Sequence, residues 1–150
     1  MGFTDILAAL IGRRIALSPA VRARYPELEG VTWRRGGIPV NVAGWFLGQG
    51  SAAAITLWRT VFLSPTVSPD EELLLHEFRH VQQFESSVSF PLVYLWESAR
   101  RGYFANRFEV DAREYAAQRL RAGDAGRGDA GRAMSESRNP RPASRRRDNT

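Results

Sequence analysis

Two histidines four residues apart are the side chains of this sequence best suited to chemistry. His76 and His80 are its only histidines, and Glu77 follows the first, so residues 76–80 form the motif H-E-x-x-H. Four residues along an α-helix return to nearly the same face, so both imidazoles can reach one ion. Where this motif binds zinc, the glutamate acts as general base toward the metal-bound water. The motif therefore predicts a zinc site with His76 and His80 as ligands and Glu77 as the base.

Zinc needs a third protein ligand, and the motif does not supply it. The chain has no third histidine and no cysteine, so we expect a carboxylate, a water or a group from a partner in that place. The downstream acids that qualify are Glu85, Glu97, Glu109, Asp111 and Glu114. We favour Glu109, because it lies on the helix after the next one, where folding back brings a carboxylate against the motif helix.

The two leading carboxylates also have ordinary structural interpretations. Glu109 stands three residues after Asn106, which is the spacing of a capping box at a helix start. Glu97 is the second choice as ligand, and it precedes Arg101 by four residues, as in a helix-surface ion pair. Glu85 follows His80 too closely to fold back, and Asp111 and Glu114 are minor alternatives.

Hydrophobic periodicity and turn residues predict the elements that position these side chains. An apolar opening segment, 4–12, reads as a helix, and a region rich in β-branched and aromatic residues follows it. The predicted strands are Val31–Arg35, Val40–Leu47 and Ala53–Leu63. Three helices are then predicted, over 68–84 with the motif, over Phe90–Tyr103, and from Asn106 to Leu120. The fold class is therefore α+β, with an N-terminal helix, a small, mostly antiparallel three-stranded sheet and three helices.

Helical spacing also predicts which faces of the last two helices are buried. In the helix after the motif, the apolar positions are Leu92, Val93, Leu95 and Trp96. In the last helix, the buried stripe runs through Phe108, Ala112, Tyr115, Ala116 and Leu120.

Length and composition set the broad class. A chain of 150 residues supports one domain with a real core, and the absence of cysteine excludes disulfides. After Ala122 no periodic apolar pattern remains, so we predict a domain over 1–121 and a disordered, arginine-, glycine- and alanine-rich tail over 122–150. No signal peptide or transmembrane run is predicted, which makes the cytoplasm the default location. The net charge of +5 comes mainly from the tail, and we expect no specific nucleic-acid partner.

Two segments together resemble the gluzincin group of zinc metallopeptidases. They are L-L-L-H-E-F-R-H-V-Q-Q-F at 73–84 and N-R-F-E-V-D-A-R-E-Y-A at 106–116, and they are most similar to small bacterial domains with H-E-x-x-H and a later E-x-x-A helix. The resemblance covers roughly residues 53–118. It implies a minimal zincin-like fold in which His76, His80 and Glu109 bind zinc and Glu77 activates water.

One position departs from the pattern. Related membrane-associated peptidases have an aspartate four residues after the ligand glutamate, where it supports a histidine. This chain has Arg113 there, and Asp111 is the residue that could replace the aspartate.

These observations predict a zinc-dependent peptidase acting on a peptide or protein substrate. In zincins, the strand before the motif helix holds an extended peptide. The predicted strand Ala53–Leu63 precedes the motif helix in the same way. Tyr94 or Tyr103 could donate a hydrogen bond to the oxyanion. The alternative is a zinc-bearing structural or interaction domain without catalysis. The third interpretation is that the H-E-x-x-H motif at residues 76–80 occurs by chance and binds no metal.

Overall fold

A computed structural model describes residues 10–39 and 53–138, with only the backbone described for 127–138. The fold class is α+β, as predicted. Its strands are β1 (Arg13–Arg14), β2 (Thr32–Arg35), β3 (Ala54–Leu57) and β4 (Thr60–Leu63). Its helices are α1 (Pro19–Arg24), α2 (Glu71–Ser86), α3 (Phe90–Arg101) and α4 (Arg107–Arg138), with a 3₁₀ turn at Pro26–Leu28. Most of the predicted opening helix and all of the predicted strand Val40–Leu47 lie outside the described residues.

The four described strands form a mixed sheet in the order β1-β2-β4-β3. Strand β2 confirms the prediction over Val31–Arg35 and pairs parallel with β4, with Trp33 opposite Val61. Strands β1 and β3 pair antiparallel on the two sides. The expected number of three strands is therefore corrected to four among the described residues, and two of the three pairings are antiparallel, as the prediction of a mostly antiparallel sheet requires. In this order β3 is an edge strand.

The predicted single strand Ala53–Leu63 is a hairpin. Strands β3 and β4 are joined by Trp58 and Arg59, and Leu57 lies opposite Thr60. Trp58 has a φ of +57°, the left-handed conformation that a two-residue hairpin turn requires and that asparagine or glycine usually supplies. The turn therefore has no glycine or asparagine to mark it, which is why the sequence predicts one continuous strand over these residues.

A core between the sheet and the helices holds α2 in place. The buried side chains include Trp33, Val61, Leu63, Leu74, Leu75 and Val81. Each such apolar side chain contributes about 1.5–3 kcal/mol when fully buried. Asp70 caps α2 by accepting a hydrogen bond from the Leu73 amide at 2.8 Å, so the helix begins slightly later than predicted.

Helix α3 buries a different face from the predicted one. Leu92, Leu95 and Trp96 are exposed, and the buried positions are Phe90 and Glu97. The buried face of α3 therefore includes the carboxylate of Glu97. Arg101 and Arg107 approach this carboxylate at 3.2 and 3.8 Å and compensate its charge. Apolar periodicity alone therefore selected the wrong stripe.

Helix α4 packs antiparallel to α2 and is longer than predicted. Ala112 and Ala116 are fully buried against it, as the predicted stripe requires. The helix continues to Arg138, through residues that the sequence assigns to a disordered tail. Near the start of this extension, Asp124 forms an ion pair with Arg24 on α1. Residues 139–150 lie outside the described part. None of the described helices is long and apolar enough to cross a bilayer.

Candidate metal centre

Helix α2 directs both histidines to one point. The Nε2 atoms of His76 and His80 lie 3.2 Å apart, and the rings are nearly perpendicular at 81°. Both side chains are mostly buried, with 14% and 9% exposed. Tetrahedral zinc with bonds of about 2.0–2.1 Å places two nitrogen ligands about 3.3 Å apart. The observed separation is therefore the one that two ligands of a single small ion adopt.

Helix α4 brings Glu109 to the same point. Its Oε2 lies 3.3 Å from His76 Nε2, and its Oε1 lies 3.2 Å from His80 Nε2. Asn106 begins the helix, and its Oδ1 accepts a hydrogen bond from the Phe108 amide, but the Glu109 carboxylate points to the histidines and does not complete a capping box. Among the described residues, Glu109 Oε2 has no hydrogen-bond partner. A buried anion beside two imidazoles is a donor set that fits a divalent cation.

The charges of the cluster support the same conclusion. Burial by itself raises the pKa of Glu109, but the two adjacent imidazoles outweigh this effect and hold the pKa below its usual range. Burial lowers the pKa of His80, yet the contact with Glu109 outweighs that effect and the pKa is raised. The carboxylate thus attracts positive charge into the space between the rings. His76, His80 and Glu109 could hold a metal ion.

A chain of hydrogen bonds orients His80. Its Nδ1 lies 2.8 Å from Gln83 Oε1, so Nδ1 is the protonated nitrogen and Nε2 presents its lone pair to the cluster. Gln83 Nε2 donates to Asp111 Oδ2 at 2.7 Å, and Arg79 donates to both oxygens of Asp111 at 2.7 and 3.2 Å. Asp111 therefore supports a histidine through Gln83, the role suggested for it from the sequence.

Glu77 lies beside the cluster and is held from the sheet. Its side chain is buried, and Thr56 Oγ1 on β3 donates to Glu77 Oε2 at 2.6 Å. This bond fixes one carboxylate oxygen and leaves the other available. Sequence reasoning identified Glu77 but missed Thr56 and Gln83. Gln83 had a local signal, because it lies three residues after His80 on the same helix face, whereas the Thr56 contact depends on the hairpin.

The other carboxylates considered as ligands lie elsewhere. Glu97 faces two arginines at the junction of α3 and α4. Glu85 forms an ion pair with Arg59. Asp111 is engaged by Arg79, and Glu114 is exposed. Of the five candidates, the structure brings only Glu109 to the histidines.

A cleft of about 1090 Å³ opens over the cluster. Apolar side chains form most of its walls, among them Ile55, Leu57, Leu73, Phe84, Phe90 and Phe104. Tyr94 donates to Glu109 Oε1 at 2.6 Å, and Tyr103 also lines the cleft. Burial and then the charge of Glu109 raise the pKa of both phenols, so they remain protonated donors. An apolar cleft with a few convergent polar groups is the usual form of a ligand site.

Comparison with known families adds one finding. A family model described as the eCIS core domain matches residues 13–88, which is just over half of the chain and includes the sheet and all of α2. Glu109 lies beyond the matched residues. Searches of curated proteins and of solved structures found no match.

Proposed function

The chain belongs to the eCIS core domain family, and we propose that it is a zinc-dependent peptidase of the gluzincin type. The observation that carries this proposal is the position of Glu77. Its carboxylate is buried next to a cluster that fits a small cation, at the base of an apolar cleft. A structural metal site does not need a base in that place, whereas hydrolysis does.

The proposed chemistry divides between the metal and the protein. When bound, zinc lowers the pKa of a coordinated water toward about 7 and polarises a carbonyl. Glu77 accepts the proton from the attacking water and then delivers it to the leaving amine. Thr56 keeps the carboxylate in the orientation that both transfers need, because its hydroxyl occupies one oxygen. Tyr103, a protonated phenol that lines the cleft, is the proposed donor to the oxyanion, because Tyr94 already donates its proton to Glu109.

The edge position of β3 supports a peptide as the substrate. An extended peptide can add to an exposed sheet edge through main-chain hydrogen bonds. Strand β3 is such an edge among the described strands, and it carries Thr56, which contacts the proposed base. A peptide added there runs past Glu77 and the metal ligands, with alternate side chains directed into the apolar cleft.

A matched pair of variants tests the proposal. Glu77→Gln is expected to bind one zinc ion per chain and to lose hydrolysis, because the amide cannot accept the proton. Glu85→Gln is the control, since Glu85 lies on the same helix but pairs with Arg59 outside the cluster. Each zinc-loaded protein is incubated with a peptide library and the products are identified by mass spectrometry. Equal turnover in wild type and Glu77→Gln would refute the mechanism.

A second candidate is a metal-bearing structural or interaction domain without catalysis. The family description favours it, because a core domain of an extracellular contractile injection system suggests a part of an assembly. Exposed Leu92, Leu95 and Trp96 on α3 fit a protein contact. Stoichiometric zinc, a zinc-dependent melting temperature and no cleavage of any library peptide would establish this alternative.

A further inference from the structure

Arg113 gives the cleft a feature that the proposed reaction does not use. It is the only arginine among the described residues that line the cleft. It lies one helical turn after Glu109, and its Nη1 is 3.9 Å from Glu109 Oε2. Its Nη2 donates to the Phe104 carbonyl at 2.6 Å. The contact with Phe104 holds the charged end against the loop before α4, and the side chain as a whole is 42% exposed and lines the cleft.

Arg113 forms an i,i+4 ion pair with Glu109, but this contact does not use the hydrogen-bond donors of the guanidinium. A separation of 3.9 Å is too long for a hydrogen bond, and Glu109 already faces both histidines and accepts from Tyr94. A guanidinium has five N–H donors in a planar fork, and the contact with Phe104 uses one. The remaining donors match the two oxygens of a carboxylate better than any other group of a peptide.

We propose that Arg113 binds a carboxylate of the peptide substrate, next to the bond that is cleaved. This inference rests on the proposed peptidase function. Arg113 Nη1 lies 3.9 Å from an oxygen of a proposed metal ligand, and an extended chain advances about 3.3–3.6 Å per residue. A carboxylate bound to Arg113 therefore belongs to a residue close to the scissile bond. It is either the C-terminal carboxylate, which makes the enzyme a carboxypeptidase, or the side chain of an aspartate or glutamate.

Three probes separate the two sources of the carboxylate. They are acetyl-alanyl-phenylalanine with a free C-terminus, its C-terminal amide, and the α-amide of acetyl-alanyl-glutamate. Binding is measured by calorimetry to the zinc-loaded full chain carrying Glu77→Gln, which prevents turnover. We expect one carboxylate probe to bind about 10- to 100-fold more tightly than the phenylalanine amide, the size of a charge-assisted hydrogen bond. The tighter of the two acids identifies the source.

Variants at Arg113 test its part in that preference. Arg113→Gln, added to the same background, is expected to reduce the acid-to-amide ratio to about one, and Arg113→Lys to retain part of it. Arg100→Gln is the control, because Arg100 lies over Trp96 on α3 and does not line the cleft. If Arg113 had only a structural role, its substitution would change the affinities for the acid and the amide equally. A change in the acid-to-amide ratio therefore excludes a purely structural role.

The outcomes for the two proposals are distinct. If Arg113→Gln keeps the wild-type ratio, or if no probe shows a preference for the acid, the inference about Arg113 is overturned. If wild type cleaves library peptides in that case, the peptidase proposal stands alone. If the Arg113-dependent preference is present but no peptide is cleaved, Arg113 binds carboxylates and the peptidase proposal fails.

Discussion

Replacing Gln83 with methionine should weaken metal binding without removing a ligand. Gln83 accepts the Nδ1 hydrogen of His80 at 2.8 Å and donates to Asp111 and to the Phe108 carbonyl. Methionine has nearly the same length but neither amide atom. His80 then loses the contact that fixes its tautomer and ring orientation, while His76 and Glu109 keep their places.

The size of the effect follows from the contacts. Loss of a hydrogen-bond partner behind a metal-binding histidine usually costs 10- to 100-fold in metal affinity, which is about 1.4–2.7 kcal/mol. The metal-free protein should also lose stability, by about 1–3 kcal/mol, because Gln83 is buried and its partners become unsatisfied. The two losses are separable, since the first is measured as a zinc dissociation constant and the second as an unfolding free energy without zinc.

The assay is a competition titration with a chromophoric zinc chelator at constant pH. Gln82→Met is the matched control, because Gln82 is the next residue and contacts Arg79, not His80. We expect it to stay within about threefold of wild type. Wild-type affinity in a folded Gln83→Met variant would show that the histidine needs no such support, and it would refute this account of the hydrogen-bond chain.

Two further predictions concern the base and the metal. Thr56→Val removes the hydroxyl that holds Glu77. We expect it to lower kcat/KM by about 10- to 100-fold and to leave the zinc affinity unchanged. A kcat/KM equal to that of the wild type would contradict the positioning role of Thr56. Removal of zinc by a chelator should lower the melting temperature by at least about 8 °C, since an ion at 1,000 times its dissociation constant adds about 4.1 kcal/mol to the free energy of unfolding. Calorimetry with and without zinc add-back measures this shift. Coincident unfolding curves would contradict a metal held between α2 and α4.

The parts of the site set by one helix could be predicted from the sequence. His76, Glu77 and His80 lie within five residues, so helix geometry alone fixes their relative directions. Glu109 required the additional assumption that the last helix folds back against α2, which the contacts of α4 bear out. From the sequence alone, Glu109 could have been either a ligand or part of a capping box. The structure places its carboxylate against the histidines.

The parts that depend on tertiary contacts could not be predicted. The turn at Trp58 has no residue that signals it, so the hairpin was read as one strand and Thr56 was missed. The face of α3 was misassigned because a buried Glu97 with two arginine partners reads as polar surface. The helix continues beyond Ala122, where Asp124 forms an ion pair with Arg24, and sequence composition shows neither feature.

The two alanines of α4 have a consequence for whether His76, His80 and Glu109 can hold a metal ion. Ala112 and Ala116 let the backbones of α2 and α4 approach closely, and Glu109 is one turn away on the same face. A larger residue at either alanine pushes the helices apart and withdraws the carboxylate, although it touches neither the ion nor the histidines. The ability of this cluster to hold a metal ion therefore depends on the small size of Ala112 and Ala116 as well as on the three candidate ligands. A chain with all three candidate ligands and a larger residue at either alanine is expected not to bind the ion.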